Sequence, residues 1–160
     1  MLQRIQSLFL GLTALTMVVM VFFPIWIKSD PGTGSTFYFT ALGTYENVSG
    51  AEKGTINYSP YGAIALLALI SCGIAIYEIF QFTNRMKQVK IGALNSLVMA
   101  IVLVLSMYFA TQFDKSIYPG ATGSFTYGFF LPVVAMLSNV VANRFIRRDE
   151  KLVRDSDRMR

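Results

Sequence analysis

The sequence predicts an all-α membrane protein: a four-transmembrane-helix bundle with a small extracytoplasmic loop between helices 1 and 2. Three observations predict this fold class. Hydrophobic residues make up 54% of the chain, they gather in long continuous runs, and Lys and Arg collect on one side of those runs. Because a helix rises about 1.5 Å per residue, about 20 apolar residues cross a hydrocarbon core of about 30 Å.

The predicted transmembrane helices span residues 5–27, 63–82, 92–113 and 126–146, and each run is almost free of formal charge. The first run exceeds the roughly 7 to 15 apolar residues of a signal peptide and lacks an A-x-A-like site, so we expect an uncleaved anchor. Barrel strands would alternate polar and apolar residues over about 10 positions. The continuous runs therefore favour one integral membrane domain over residues 1–160.

Positive charge is distributed unevenly about these runs. Eleven of the 14 Lys and Arg residues lie on the side of the predicted membrane that holds both termini, and only Lys28, Lys53 and Lys115 lie on the other. Cytoplasmic loops carry the excess of Lys and Arg. We therefore expect a multi-pass protein of the bacterial inner (cytoplasmic) membrane with cytoplasmic N- and C-termini. Membrane lipid is then the expected partner of this charge, and nucleic acid is not.

The loop at residues 28–61 is the longest segment outside the predicted helices. It opens with turn-forming residues at 30–34, and β-forming segments follow at 36–42 and 54–58. This composition leaves a small β-hairpin or sheet and an irregular loop equally open. Trp26, at the boundary of this loop, is expected to join a belt of aromatic residues at the membrane interface.

The residue types that catalysis usually requires are scarce. The sequence has no His, and its single Cys72 lies in the middle of the second apolar run, which excludes thiol exchange through a Cys-x-x-Cys pair. No nucleophile is paired with a base, and no cluster of residues has metal-ligand spacing. We therefore expect a protein that is not an enzyme, with no catalytic, cofactor-binding or metal-binding residues.

Glu78 is the one carboxylate inside a predicted span. An ionisable group inside a membrane is costly unless it is paired, protonated or close to water. Counted from the helix ends, Asn95, Asn139 and Asn143 lie at a similar depth, and the last two share one helix face. These four residues form a predicted intramembrane polar layer.

Two interpretations of the polar layer remain open. In the structural interpretation, Arg85, Arg144 or interfacial water is the charge partner of Glu78, and the Asn side chains form hydrogen bonds between helices. In the other, the layer carries protons or cations in a transporter or channel component. The spans contain no second carboxylate and no His, which favours the structural interpretation.

The segment after helix four, residues 147–160, is a dense mixture of six positive and four negative side chains. Phe145, Leu152 and Met159 recur every seven residues, which predicts a charged helix with one narrow apolar stripe. We expect this cytoplasmic tail to continue helix four and to be either a solvated end or a docking element for a protein. The candidate docking residues are Arg147, Arg148, Asp149, Glu150, Leu152, Val153, Arg154, Asp157 and Arg158.

Three stretches of the chain match a known pattern: MLQRIQSL at residues 1–8, NRMKQ at residues 84–88, and IRRDEKLVR at residues 146–154 followed by DR at 157–158. With these stretches the chain resembles, over nearly its whole length, the bacterial family catalogued as domain of unknown function 4293. The resemblance implies an inner-membrane protein with four helices and supplies no activity. The sequence as a whole favours a small non-catalytic accessory or scaffold subunit, and a transporter or channel component is the alternative; an oligomer is compatible with both.

Overall fold

The computed structural model describes residues 2–32, 34–47, 61–81, 84–117 and 120–158, with side chains from residue 5 to residue 153. These residues form four helices and one antiparallel sheet of four strands. The elements in chain order are α1 (Leu2–Phe22), β1 (Pro24–Ser29), β2 (Thr36–Thr40), β3 (Thr44–Asn47), α2 (Gly62–Phe80), α3 (Arg85–Ser116), β4 (Ser124–Phe125) and α4 (Tyr127–Arg158).

The helices pack in a square. α1 and α3 each contact both α2 and α4, and the ring of Phe9 near the start of α1 stacks on Phe145 late in α4. We call the end of the bundle at which α2 ends and α3 begins the basic end, and the opposite end the sheet end. Each of the four helices in the described residues is long and apolar enough to cross a membrane. The predicted mostly helical fold is therefore confirmed.

The prediction that helix 1 extends from residue 5 to residue 27 was wrong at its end. α1 stops at Phe22, and the chain continues directly into β1. Pro24 lacks the N–H that a helix needs, and it disfavours helical backbone in the residue before it. The β-branched Ile25 and Ile27 that follow favour a strand.

β1 lies inside the sheet, whose strand order is β3-β2-β1-β4. β2 falls within the predicted β-forming segment 36–42, so a sheet over the bundle is present, whereas segment 54–58 lies outside the described residues. β2 pairs instead with β3, and Tyr38 stacks on Tyr45 across that pair. β4 joins the sheet from between α3 and α4, which ties both halves of the chain together.

The side chain of Trp26 does not face outward, as a residue of an interfacial aromatic belt would. Its side chain is 2% exposed, and its ring packs against Phe37 and Phe113. Gly123 permits this burial, because a Cβ at residue 123 would collide with the Trp26 ring. The aromatic side chain therefore fills the core of the sheet end.

Lys28 is also buried at the sheet end. Its Nζ donates hydrogen bonds to the Asp114 backbone oxygen at 2.7 Å and to Asp114 Oδ1 at 3.2 Å. The backbone N–H of Gly123 donates to the same carboxylate at 3.1 Å. Since cations stabilise the negative end of a helix dipole, Lys28 fastens the sheet to the last turns of α3.

The other helix bounds differ from the predicted spans mainly at the charged ends. α3 begins at Arg85, seven residues before the predicted start at 92, and α4 continues to Arg158, 12 residues past the predicted end at 146. Hydropathy locates the apolar part of a helix, whereas Arg, Lys, Gln and Glu continue a helix in water with little loss of stability. Both extensions project from the basic end.

Candidate functional site

Glu78 lies at the basic end, two residues before α2 ends at Phe80. Its side chain is fully buried, and neither carboxylate oxygen has a hydrogen-bond partner in the described part of the chain. Its backbone oxygen, by contrast, accepts hydrogen bonds from Gln88 Nε2 at 3.1 Å and from the Gln81 N–H at 3.2 Å. The Glu78 backbone oxygen near the end of α2 therefore has hydrogen-bond donors, whereas the Glu78 carboxylate has none among the described residues.

Gly92 on α3 lies where α2, α3 and α4 meet. A Cβ at this position would lie 2.7 Å from Glu78 Oε1 and 2.6 Å from Asn143 Oδ1, and closer still to Asn143 Nδ2. A methyl group at residue 92 therefore requires the ends of the Glu78 and Asn143 side chains to move. The Glu78 carboxylate and the Asn143 amide consequently face the same patch of α3, and their oxygens lie no farther apart than the sum of those two distances.

Asn139, one turn before Asn143 on α4, uses both of its N–H groups. Nδ2 donates to the Gly92 backbone oxygen at 2.7 Å and to Ser96 Oγ at 2.8 Å. Exchanging the amide nitrogen and oxygen would bring two acceptors together at Gly92, so the hydrogen bonds fix the orientation. Asn139 Oδ1 is left as an acceptor without a partner in the described residues.

Asn95 takes part in a separate contact. Its side chain is fully buried, and Oδ1 accepts a hydrogen bond from Ser71 Oγ at 2.7 Å. Ser71 precedes Glu78 by seven residues, which places it about 10 Å farther along α2. The structure therefore brings Glu78, Asn139 and Asn143 together around Gly92, and it places Asn95 in a neighbouring contact between α2 and α3.

We call Glu78, Gly92, Asn139 and Asn143 the Glu78 cluster. Among the described residues, four oxygens of the cluster are buried without a hydrogen-bond donor: both carboxylate oxygens of Glu78 and the amide oxygens of Asn139 and Asn143. Buried polar atoms are ordinarily bonded, because an unpaired one loses its hydration without compensation. Oxygen acceptors that carry a single negative charge suit a proton or a hard cation.

The charge partners predicted for Glu78 are not paired with it in the described residues. Arg85 instead forms an ion pair with Asp149 on the extension of α4, with Nη1 2.8 Å from Asp149 Oδ2. Arg144 is exposed and forms no ion pair with a described side chain. Assigning Arg85 to Glu78 was wrong because α4 stays helical far enough to present Asp149 to the start of α3. There both charges keep part of their hydration, at 23% and 16% exposure.

A cleft of about 380 Å³ lies between α3 and α4, beside the Glu78 cluster. Ser96 and Asn143 belong to its lining, so the cleft adjoins the cluster from the side. The exposed residues Arg144 and Arg147 also line it, with Ala93 and Val140 as the apolar lining. The cleft thus adjoins the buried polar atoms on one side and the bundle surface on the other.

α4 carries the predicted docking tail as a continuous helix to Arg158. Leu152 and Val153 expose 55% and 45% of their surface, so this part of the predicted apolar stripe has no cover in the described residues. Of the other candidate docking residues, the described side chains are Arg147, Arg148, Asp149 and Glu150. The side chains of Arg154, Asp157 and Arg158 lie outside the described ones.

Gly92, Ser96 and Gln88 belong to the site in addition to the residues predicted from the sequence. Gly92 and Ser96 are small residues spaced four apart in an apolar run, a pattern that signals close helix approach. Because such spacings are common in apolar helices, the pattern did not single out this pair. Gln88 lies inside α3, which begins seven residues before its predicted start at residue 92.

A comparison with curated proteins finds no match for this chain. A family model described as "Domain of unknown function (DUF4293)" matches residues 2–159, a range that includes every helix and strand described above. The family resemblance inferred from residues 1–8, 84–88 and 146–158 is thereby confirmed. The chain belongs to the family described as Domain of unknown function (DUF4293).

Proposed function

We propose that the chain is a multi-pass protein of the bacterial inner membrane, with both termini on the cytoplasmic side. The outward faces of its helices carry large exposed apolar side chains, among them Leu97, Val104 and Leu137. Contiguous apolar surface of this kind is unfavourable in water and favourable against lipid. The excess of Lys and Arg at the basic end matches the charge of cytoplasmic loops.

Within that membrane, we propose that the protein binds and exchanges one monovalent cation at the Glu78 cluster, as a component of a transporter or channel. The observation that carries this proposal is the fully buried Glu78 carboxylate, which has no donor in the described part of the chain. It shares the surface of Gly92 with the amide of Asn143. An intramembrane ionisable group of this kind is typical of ion and proton pathways.

The charge of the cluster favours a monovalent ion. One proton or one Na⁺ neutralises one carboxylate, whereas a divalent ion would leave a net charge in a medium of low dielectric constant. Arg85 does not supply the neutralising charge, because it is paired with Asp149. The amide oxygens of Asn139 and Asn143 would serve as neutral ligands for Na⁺, or would accept a hydrogen bond from protonated Glu78. A proton and Na⁺ would therefore compete for the same atoms.

The test is ion uptake by the purified full chain in proteoliposomes, measured with ²²Na⁺ and with an internal pH-sensitive dye. Glu78→Gln keeps the size of the side chain, removes its charge and replaces one acceptor oxygen with a donor amide group. Glu150→Gln is the matched control, because it removes the same charge from the extension of α4. We expect Glu78→Gln to abolish uptake and Glu150→Gln to retain it. Equal uptake by all three proteins would overturn the proposal.

A binding measurement separates ion handling from a structural role. If Na⁺ binds the folded protein alone, Na⁺ at about 100 times its Kd should stabilise the fold by about 2.7 kcal/mol. The Glu78→Gln protein should lose this stabilisation, with choline chloride as the ionic-strength control. If Na⁺ and choline stabilise the protein equally, and acidification displaces no bound cation, then Glu78 has a structural role.

We also propose a second candidate function, that of a small accessory or scaffold subunit that docks a protein at the cytoplasmic face. The observation that favours it is the exposure of Leu152 and Val153 on a helix that continues past the bundle. Exposed apolar side chains within a charged helix are typical of an interaction surface. The ion pair between Arg85 and Asp149 supports the base of this helix.

Crosslinking in membranes followed by purification of the full chain tests this second function. Leu152→Ser with Val153→Ser removes the apolar surface and leaves the pair between Arg85 and Asp149 in place. Arg148→Ser is the control on the same helix. We expect the double variant to lose a crosslinked protein that the control retains. If a chain that ends at residue 150 still crosslinks to every partner of the full chain, the docking function is excluded.

A further inference from the structure

We propose that the cleft between α3 and α4 binds the headgroup of an anionic phospholipid. This inference rests on the proposed membrane location and not on ion exchange at Glu78. Ser96 lines the cleft, but its hydroxyl already donates a hydrogen bond to the Gly92 backbone oxygen. The lining residues that can donate to a ligand are Arg144, Arg147 and Asn143. A phosphodiester accepts hydrogen bonds and carries one negative charge, which matches this set of donors.

The arginines of the cleft are not neutralised within the described residues. Neither Arg144 nor Arg147 forms an ion pair there, and no acidic side chain belongs to the lining. The nearest acidic residue along α4, Asp149, is paired with Arg85. Two arginines three residues apart on one helix face therefore line the cleft, and neither forms an ion pair with a described residue.

Along α4, apolar side chains are followed by basic ones, which is the order of the acyl chain and the charged headgroup in a lipid. Val140 lies about 10 Å before Arg147 by helix rise, and it is 54% exposed on the bundle surface. Leu137, one turn farther from the basic end, continues the same exposed face. An acyl chain would lie along Leu137 and Val140 while the phosphate meets Arg144 and Arg147. A soluble anion has no apolar chain that could contact Leu137 and Val140.

A lipid at this position would also cover the cluster from the side. Asn143 belongs both to the cleft lining and to the Glu78 cluster. The headgroup would then lie next to the amide that faces Gly92. Basic pockets between transmembrane helices on the cytoplasmic side are typical sites for anionic headgroups.

Native mass spectrometry of the full chain in detergent tests the proposal with phosphatidylglycerol and phosphatidylcholine as probes. The test variant is Arg144→Gln with Arg147→Gln. Arg148→Gln with Lys151→Gln is the matched control, because both residues are exposed, lie outside the cleft lining and remove the same charge. We expect the test variant to bind phosphatidylglycerol roughly 25-fold more weakly than the wild type, at about 1 kcal/mol for each arginine.

Three results would contradict a site for an anionic lipid. Equal binding of phosphatidylglycerol by the two double variants, or equal binding of phosphatidylcholine and phosphatidylglycerol by the wild type, would overturn the proposal. So would inorganic phosphate or glycerol 3-phosphate displacing the lipid at equal concentration, because the ligand would then be a soluble anion. Arg144→Lys with Arg147→Lys should keep part of the binding, since the charge remains and the bidentate geometry is lost.

Measurements on the same preparations distinguish a failure of the lipid proposal from a failure of the ion-binding proposal. Glu78→Gln should bind phosphatidylglycerol as the wild type does, because Glu78 is not part of the cleft lining. Loss of lipid selectivity with intact Na⁺ stabilisation contradicts the lipid site alone. A chain that fractionates as a soluble protein in cells contradicts both proposals, since both place these residues in a bilayer.

Discussion

Gly92 shows how one missing side chain positions several polar groups. A Cβ at this residue would lie within 2.7 Å of Glu78 Oε1 and of Asn143 Oδ1. The same residue offers its backbone oxygen to Asn139 Nδ2. Because Gly92 has no Cβ, the three helices approach closely here. Side chains from α2 and α4 can then contact the backbone of α3.

We predict that Gly92→Ala destabilises the protein by about 1 to 3 kcal/mol, the usual effect of overpacking a filled interior. Glu78 and Asn143 must both move to admit the methyl group. Gly73→Ala is the control, because a Cβ at Gly73 meets no atom within 4 Å. Since alanine is the better helix former, this control should be neutral or slightly stabilising. Unfolding in detergent, followed by circular dichroism, measures both changes, and equal midpoints for the two variants would contradict the packing around Gly92.

The polar residues of the cluster could be predicted from the sequence, whereas their hydrogen-bond and charge partners could not. Glu78, Asn139 and Asn143 stand out because polar groups are rare in apolar runs and need a compensating contact. Which groups compensate depends on helix ends and rotation about the helix axis, which the apolar runs do not define. The predicted partners of Glu78 were therefore Arg85, Arg144 or interfacial water, whereas the continued helix pairs Arg85 with Asp149.

At the scale of elements, the charged extension of α4 is joined to the start of α3. The pair between Arg85 and Asp149 connects a residue at the first turn of α3 with one beyond the apolar part of α4. Both side chains keep some exposure, so their attraction is weakened by water and salt. This contact therefore orients the tail and contributes modestly to stability.

A double-mutant cycle tests that contact. We predict that Arg85→Gln and Asp149→Asn are coupled by about 0.2 to 1 kcal/mol in the free energy of unfolding, and that the coupling falls as salt is raised. Lys87→Gln combined with Asp149→Asn is the control cycle, because Lys87 is exposed and makes no ion pair with a described residue. Additive effects in both cycles would mean that the ion pair does not form in solution.

The sheet was the element least accessible to sequence reasoning. Ile25, Trp26 and Ile27 continue the hydropathy of α1, so a window that averages apolar character includes them in the helix. Pro24 is the local signal that ends the helix, but the strand that follows it is completed by pairing with β2 and with β4, which lies about 100 residues later in the chain. One of those partners, β4, has only two residues, Ser124 and Phe125, and a strand of two residues has no recognisable periodicity.

The whole molecule combines a polar interior contact region with an apolar exterior. Its exposed side chains include Leu69, Leu97 and Val104, while Asn95 and Asn139 are fully buried. The interior also contains an apolar core, as that of a soluble bundle does, but a soluble bundle has charged faces outside. Helix number and class were predictable because they follow from apolar runs, but the contacts among polar groups required the packed structure.

The final prediction concerns the orientation of the molecule in the membrane. With the only native thiol removed by Cys72→Ala, single cysteines at Ser124 and at Lys151 report the sheet end and the extension of α4, since both residues are exposed. A membrane-impermeant maleimide should label Ser124→Cys in intact spheroplasts and Lys151→Cys only after permeabilisation, if the basic end lies in the cytoplasm as we propose from its excess of Lys and Arg. The Cys72→Ala chain without a new cysteine measures background labelling. Labelling of Lys151→Cys in intact spheroplasts would place Arg144 and Arg147 on the outer side, which reverses both the topology and the leaflet in which the anionic lipid is sought.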